Sequence, residues 1–253
     1  MTLDEIRKLT NYICVKENSG NTLKPDQLNF ILPACNINMF NRKIKQAEEL
    51  ALTKKNLPNY NSAFLEALLS MVELREFHAN EDITFTTGAF DITTLTYTYA
   101  YWEAMTTIYR GASRGIDLIS DTELRNRKTN MLAPQLEDFP AAQINGSIIK
   151  VFPSDIATAN FSYLKIPATP VYDYYLDANQ NIVYLAVNAT HVLTTGEIGS
   201  SGETAGQTVT SKTVELEWNT VFHAEFANEL LEKVGINLKD DRIRAYSKEM
   251  ENK

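Results

Sequence analysis

The chain has 253 residues, 44% of them apolar and 22% charged, and its 24 basic against 32 acidic side chains leave a formal net charge of −8. A chain of this size buries roughly 70–75% of its unfolded surface, so neither a disulfide nor a metal is required to hold a core. The acidic balance argues against a protein whose affinity rests on Lys and Arg gripping phosphates, and so against sequence-specific DNA binding.

The opening Met-Thr-Leu-Asp-Glu-Ile-Arg-Lys has no apolar h-region, and no stretch reaches the ~20 apolar residues of a membrane span. The expectation is a soluble intracellular product with Cys14 and Cys35 reduced and half-buried on separate helices. In that setting the sequons at Asn145, Asn160 and Asn188 are chance.

Residues 1–80 read as a helical unit. Thr2 and Glu5 have capping-box spacing, and Leu3, Ile6, Leu9 and Ile13 recur at helical intervals. Ser19-Gly20-Asn21 breaks that helix. Pro25 suits the first turn of a second helix, with Leu28, Ile31, Leu32, Cys35, Met39 and Phe40 on its apolar face. Pro33 predicts a kink, or confinement to an early turn. A basic cluster follows (Arg42, Lys43, Lys45, Lys54, Lys55) that reads as a solvated helix end, and Leu57-Pro58-Asn59 closes the unit. A third helix over Ser62–Phe77 carries Phe64, Leu65, Leu68, Leu69, Val72 and Leu74.

From Asp82 the period changes, and residues 81–218 read as a β-rich core. Ile83 and Phe85, then Leu95, Tyr97, Tyr99 and Tyr101, alternate with Thr as in strands. Gly111 to Gly115 reads as a turn, lacking the Lys-Ser/Thr of a phosphate loop. Asp121 to Arg127 is a short helix capped by Ser120. Asn145-Gly146 predicts a hairpin setting Ala141–Ile144 against Ile148–Phe152. A second turn at Asp177–Asn181 joins Val171–Leu176 to Ile182–Val187. Residues 194–213, rich in Gly, Ser and Thr, read as a mobile loop or a projecting ribbon tip. Val214, Leu216 and Trp218 then alternate with Glu215 and Glu217, a strand with its carboxylates toward solvent.

Residues 219–253 read as C-terminal helices packing on the body or on a neighbour. Asn219 is the cap, Phe222, Phe226, Ala227, Leu230, Leu231 and Val234 form the apolar stripe, and Gly235 the left-handed C-terminal residue. Asp240 caps a last short helix with Arg242, Ile243, Arg244 and Tyr246. The fold class is α+β: an N-terminal helical unit, a central antiparallel β-rich module with a short inserted helix, and a C-terminal strand–helix–helix.

Chemistry is hard to find. His78, His191 and His223 lie on different elements without a second His or Cys at ligand spacing, and His223 with Glu225 and Glu229 lacks a His-Glu-X-X-His pattern. The Gly-X-Ser-X-Gly string Gly111-Ala-Ser-Arg-Gly115 reads as the turn described above and not as a nucleophile elbow, and there is no Cys–His pairing. The reading is a non-enzymatic protein with no catalytic residue, cofactor or metal. Tyr97, Tyr99, Tyr101, Trp102 and Tyr109 form an aromatic set in which the tyrosines at period 2 are good strand residues whose hydroxyls suit a wet edge or a subunit contact. The alternative use of such rings is a sugar site in a carbohydrate-binding, adhesin-type module, carried by Tyr99 or Trp102.

Three segments carry a family resemblance. Thr2 to Arg7 followed by Ser19 to Asn29 resembles the N-terminal helical unit of virion proteins from crAss-like and related Bacteroidetes phages. Ile116 to Pro170, with Pro134 to Ala142 and Ala159 to Pro170 inside it, resembles the β-core of head-to-tail connector and tail-ring proteins of tailed double-stranded DNA phages. Glu215 to Asn219, with Gly235 to Asp240, resembles their closing strand–helix–helix. The resemblance implies a virion structural protein of the neck or tail. Its copies would form a ring of twelve below the portal, contacting the portal and other tail-ring proteins. Genomic DNA would pass through without sequence-specific binding, and no membrane is involved. Tyr99, Trp102, Arg242, Arg244 and Tyr246 are the inter-subunit or partner contacts expected on this reading.

Overall fold

The computed structural model describes residues 1–18, 23–53, 71–129, 136 and 138–237. It is an α+β protein with an N-terminal helical region, a β-rich middle and a C-terminal helix. No helix among the described residues is long and apolar enough to cross a membrane. Contacts divide the chain into two compact units, Met1–Glu76 with Pro167–Lys253, and Phe77–Ile166. This places residues 167–218 with the N-terminal helices, where the sequence reading grouped them with the β-rich core.

Helix α1 (Leu3–Asn18) starts on the expected capping box: the Thr2 amide donates to Glu5 Oε2 at 2.9 Å and the Glu5 amide to Thr2 Oγ1 at 3.3 Å. Helix α2 (Pro25–Thr53) begins at Pro25 and runs far past Pro33, so the expected confinement of Pro33 to an early turn is corrected. The ring removes the donor that would reach the Asn29 carbonyl, yet burial of Leu28, Leu32, Cys35, Met39 and Ile44 on either side keeps the helix going. Cys35 is fully buried rather than half-buried, and burial, with the Glu229 charge nearby, pushes its thiol up to about 12. The expected third helix lies mostly outside the described residues, as do Lys54, Lys55 and the side chain of Cys14. Its end, Val72–Phe77, is a 3₁₀ helix that buries Leu74 and Phe77 but leaves Val72 exposed.

Among the described residues the second unit holds eight strands and one α-helix. They are β1 (His78–Thr84), β2 (Ala89–Asp91), β3 (Tyr99–Tyr109), β4 (Ala112–Gly115), β5 (Asp117–Leu118), helix α3 (Asp121–Thr129), β6 (Ala141–Asn145), β7 (Ile148–Phe152) and β8 (Thr158–Lys165). One sheet runs β1-β8-β3-β4 and the other β2-β7-β6-β5. All the pairs are antiparallel except β5 with β6, which the α3 connection makes parallel. A single apolar cluster draws on both sheets, from Ile83, Met105, Phe161 and Tyr163 on the first to Ile149 and Val151 on the second. Ser120 caps α3 as expected, its Oγ accepting from the Glu123 amide at 3.3 Å. The β6–β7 hairpin is also as expected, with a shift of one residue. Asn145 pairs with Ile148, leaving Gly146-Ser147 as the turn, and the positive φ of Gly146, 62°, is what the first position of a type II′ turn requires. Gly111 is likewise a turn residue, but Ala112–Gly115 is strand. The strand expected through Leu95 and Tyr97 begins only at Tyr99, because Asp91 caps a 3₁₀ turn at Ile92–Thr94 instead.

In the first unit, β9 (Tyr174–Leu176), β10 (Ile182–Tyr184) and β12 (Ile198–Gly199) form a small sheet in the order β10-β9-β12, and β11 (Thr190–Val192) pairs with β13 (Thr208–Thr210). The Asp177 turn is as expected, with Asp177 Oδ1 accepting from the amides of Asn179 and Asn181 at 2.8 Å each. The reading of 194–213 as a mobile or projecting loop is corrected. Leu193 and Val209 are buried against Leu185, and the buried Asp173 carboxylate accepts from Ser200 Oγ at 2.6 Å and the Lys212 amide at 2.8 Å. The expected strand at 214–218 is also corrected: it survives only as an isolated bridge between Val171 and Val214. Its glutamates do not face solvent idly. Glu215 accepts from the Leu3 amide at the start of α1 and from the Tyr184 hydroxyl, and Glu217 from the Ala168 amide.

Helix α4 (His223–Asn237) follows a 3₁₀ turn, Thr220–Phe222, that Asn219 caps as expected. It continues through Gly235, where the sequence predicted its end, and packs on α2. Asparagines two turns apart on α2 grip the extended segment 167–172: Asn29 exchanges two hydrogen bonds with the Tyr172 backbone, and Asn36 donates to the Ala168 carbonyl while accepting from the buried Trp218 indole at 2.7 Å.

Candidate functional site

Each histidine is accounted for by local structure. The His78 imidazole meets the buried Glu103 carboxylate. His191 hydrogen-bonds Glu197 at 2.9 Å and stacks on Tyr175, and His223 is buried with Nε2 at 2.8 Å from the Trp218 carbonyl. No group of three or more metal-ligating side chains occurs among the described residues. The carboxylates near His223 are committed elsewhere. Arg42 bridges Glu225 at 3.1 Å and Glu229 at 3.0 Å, and the buried Lys43 reaches Glu225 at 2.8 Å. Those two cations therefore do not belong to a solvated helix end, the correction that α4 packing makes to the sequence reading.

Of the residues expected to contact partners, Arg242, Arg244 and Tyr246 lie outside the described residues, as does the Asp240 cap. Tyr99 and Trp102 lie together on β3 and converge on one ring. Tyr99 stacks on Phe161 with centroids 6.1 Å apart, and Trp102 tilts against the same ring at 4.9 Å. Both are half-buried at the margin of the β-module core.

Other apolar side chains project further. On β3, Glu103, Met105, Thr107 and Tyr109 face inward, which turns Ala104, Thr106 and Ile108 outward. Ile108 is 82% exposed, and beside it the outer face of the sheet carries an amide ladder in which Asn80 donates to Asn160 and Ser162 and Asn160 donates to Asp82. On α2, Phe30 is 83% exposed, with Ile37 on the same face two turns on. Phase was the available signal: Phe30 falls outside the stripe of Leu28, Ile31, Leu32 and Cys35, and Ile108 alternates with Thr107 and Tyr109.

The β-module also holds a groove of about 400 Å³ along residues 92–99 and Gly146-Ser147. Two carboxylates fasten its wall. Asp91 accepts from the Thr93 amide at 3.0 Å and the Thr93 hydroxyl at 2.8 Å. Glu81 accepts from the Thr96 amide and hydroxyl and from the Tyr163 phenol. Partial burial pushes the Glu81 carboxyl up, but the Tyr163 and Thr96 donors together outweigh it and hold the group below its ordinary 4.5. A carboxyl depressed on folding adds stability that is fully present above its unfolded value and is lost as pH falls through the folded one. Acid unfolding of the β-module is therefore expected to draw on Glu81 below pH 4.5. In Tyr163→Phe the depression shrinks, and the acid midpoint followed by near-UV circular dichroism should move to higher pH. An unmoved midpoint would show that Glu81 does not couple to folding.

Compared with known proteins, the chain matches no protein-family model and no curated protein sequence.

Proposed function

We propose that this protein is a non-enzymatic structural component of a tailed-phage virion, forming a closed ring in the neck or tail that extends the DNA conduit and docks adjacent tail components. The observation that carries the reading is the pair of large apolar side chains held out on rigid elements, Phe30 on α2 and Ile108 on β3, each more than four-fifths exposed and one in each unit. A ring built head-to-tail needs two different complementary patches on every subunit, and these are two patches of different make-up. The helical one is Phe30 and Ile37; the sheet one is Ile108 beside the Asn80–Asn160 ladder. The net charge of −8 suits a wall that DNA slides past. The sequence resemblance to connector and tail-ring proteins points the same way, with the portal and neighbouring rings as partners.

The test is quantitative mass spectrometry of gradient-purified particles, counting this chain against the major capsid protein. On the order of a dozen copies per particle is the expected result for a closed ring; hundreds, or none, overturns it. In the same preparation Phe30→Asp and Ile108→Asp should each lower incorporation at least ~10-fold, while the melting temperature of the isolated chain stays near that of the parent. Normal incorporation of both variants would remove these patches from the interface.

A further inference from the structure

We propose that the groove along residues 92–99 of the β-module binds a neutral saccharide, a function separate from ring assembly and not dependent on it. Its volume, about 400 Å³, falls in the roughly 300–1,000 Å³ range of small-molecule sites. The lining combines tyrosine rings, Tyr97 and Tyr99, with the hydroxyls of Thr93, Thr96, Thr98 and Ser147.

The direction of the internal hydrogen bonds selects the ligand class. The Thr93 hydroxyl gives its proton to Asp91, and the Thr96 hydroxyl gives its proton to Glu81. A hydroxyl that has donated to a carboxylate keeps only acceptor capacity for a ligand. The groove is thus rich in acceptor oxygens, which match a ligand rich in O–H donors and repel one that offers only anionic oxygens. Asp91 and Glu81 are spent on the wall and the Lys165 ammonium on the Tyr97 ring, which leaves the selection to the hydroxyls. Tyr97, 48% exposed, supplies an apolar ring for a sugar's C–H face, and the Lys165 ammonium 4.4 Å from its centroid holds that ring in place. Because the same carboxylates fix the loop before any ligand arrives, little ordering remains to oppose binding. Trp102 does not line this groove, so of the Tyr99 and Trp102 pair only Tyr99 remains as a saccharide contact, joined by Tyr97 and its hydroxyl neighbours.

Saturation-transfer NMR on the full chain would test this with maltohexaose, cellohexaose and chitohexaose as neutral probes and a heparin hexasaccharide as the anionic one. Transfer to at least one neutral probe at about 1 mM is expected, with none to heparin. Tyr97→Ala should weaken that binding about 10-fold, the loss of one aromatic contact. Thr98→Arg, a change at an exposed lining position, should block the groove, and Tyr12→Ala, an exposed tyrosine of the other unit, should change nothing. If Tyr97→Ala no longer melts cooperatively, Thr98→Arg decides. Silence from all three neutral probes overturns the proposal. So does equal transfer to heparin, or binding that survives Thr98→Arg.

Discussion

Phe161→Ala is expected to cost the β-module about 3–5 kcal/mol. Phe161 is fully buried at the centre of β8, the strand that joins β1 to β3. Three aromatic rings converge on it: Trp102 at 4.9 Å, Tyr163 at 5.1 Å and Tyr99 at 6.1 Å. Truncation removes the transfer free energy of the ring and leaves a cavity, and neighbours anchored on opposite strands cannot collapse into it. Urea unfolding followed by near-UV circular dichroism should show the lowered midpoint, and hydrogen exchange should place the loss within residues 77–166. A cost under 1 kcal/mol would mean that the rings repack and that Phe161 is not the keystone of this core.

The other large effect is expected at Asp173. Asp173 is 4% exposed and its carboxylate accepts from Ser200 Oγ, the Lys212 amide and the Tyr174 amide, while its own amide donates to Thr213 Oγ1 and its carbonyl accepts from the Leu185 amide. Asp173→Ala removes the acceptor shared by Ser200 Oγ and the Lys212 amide, two distant points of the Gly/Ser/Thr-rich run, and a hydrogen bond to a charged group contributes about 1.5–3 kcal/mol. The amides of residues 198–213 should exchange much faster in Asp173→Ala, whereas Asp177→Ala, in an exposed turn, should alter only its own loop. Unchanged protection across 198–213 would refute the anchoring role.

That contrast also explains which parts of the fold the sequence discloses. The Thr2/Glu5 box, the Ser120 and Asn219 caps and the Gly146 hairpin are set within a few residues, and each is readable where it stands. The order in residues 194–213 is not, because its anchor, Asp173, lies tens of residues upstream and looks like any acidic residue near a strand. Glu215 looked like half of a solvent-facing alternation because its partner, the Leu3 amide, lies at the other end of the chain. Tyr97 looked like strand because Thr and Tyr alternate there; the carboxylates of Asp91 and Glu81 overrule that preference. The exposed Phe30 and Ile108 were legible by phase alone, whereas the groove depends on side chains brought together from two separate segments.

The pairing of His78 with Leu164 brings the two ends of the β-module side by side, so residues 77–166 form a closed insertion within a unit whose halves lie on either side of it in sequence. During synthesis the order of completion is therefore inverted. Helices α1 and α2 are made before the β-module, yet α2 lacks Trp218, which binds its Asn36, and α4, which packs on it, until residues 218–237 are made. The module that emerges second has all its strands in hand by residue 165 and is the first that can close. Nascent chains stalled between residues 80 and 150 expose the apolar face of α2 with neither unit complete, and that is the interval in which a holding chaperone would find the most to bind.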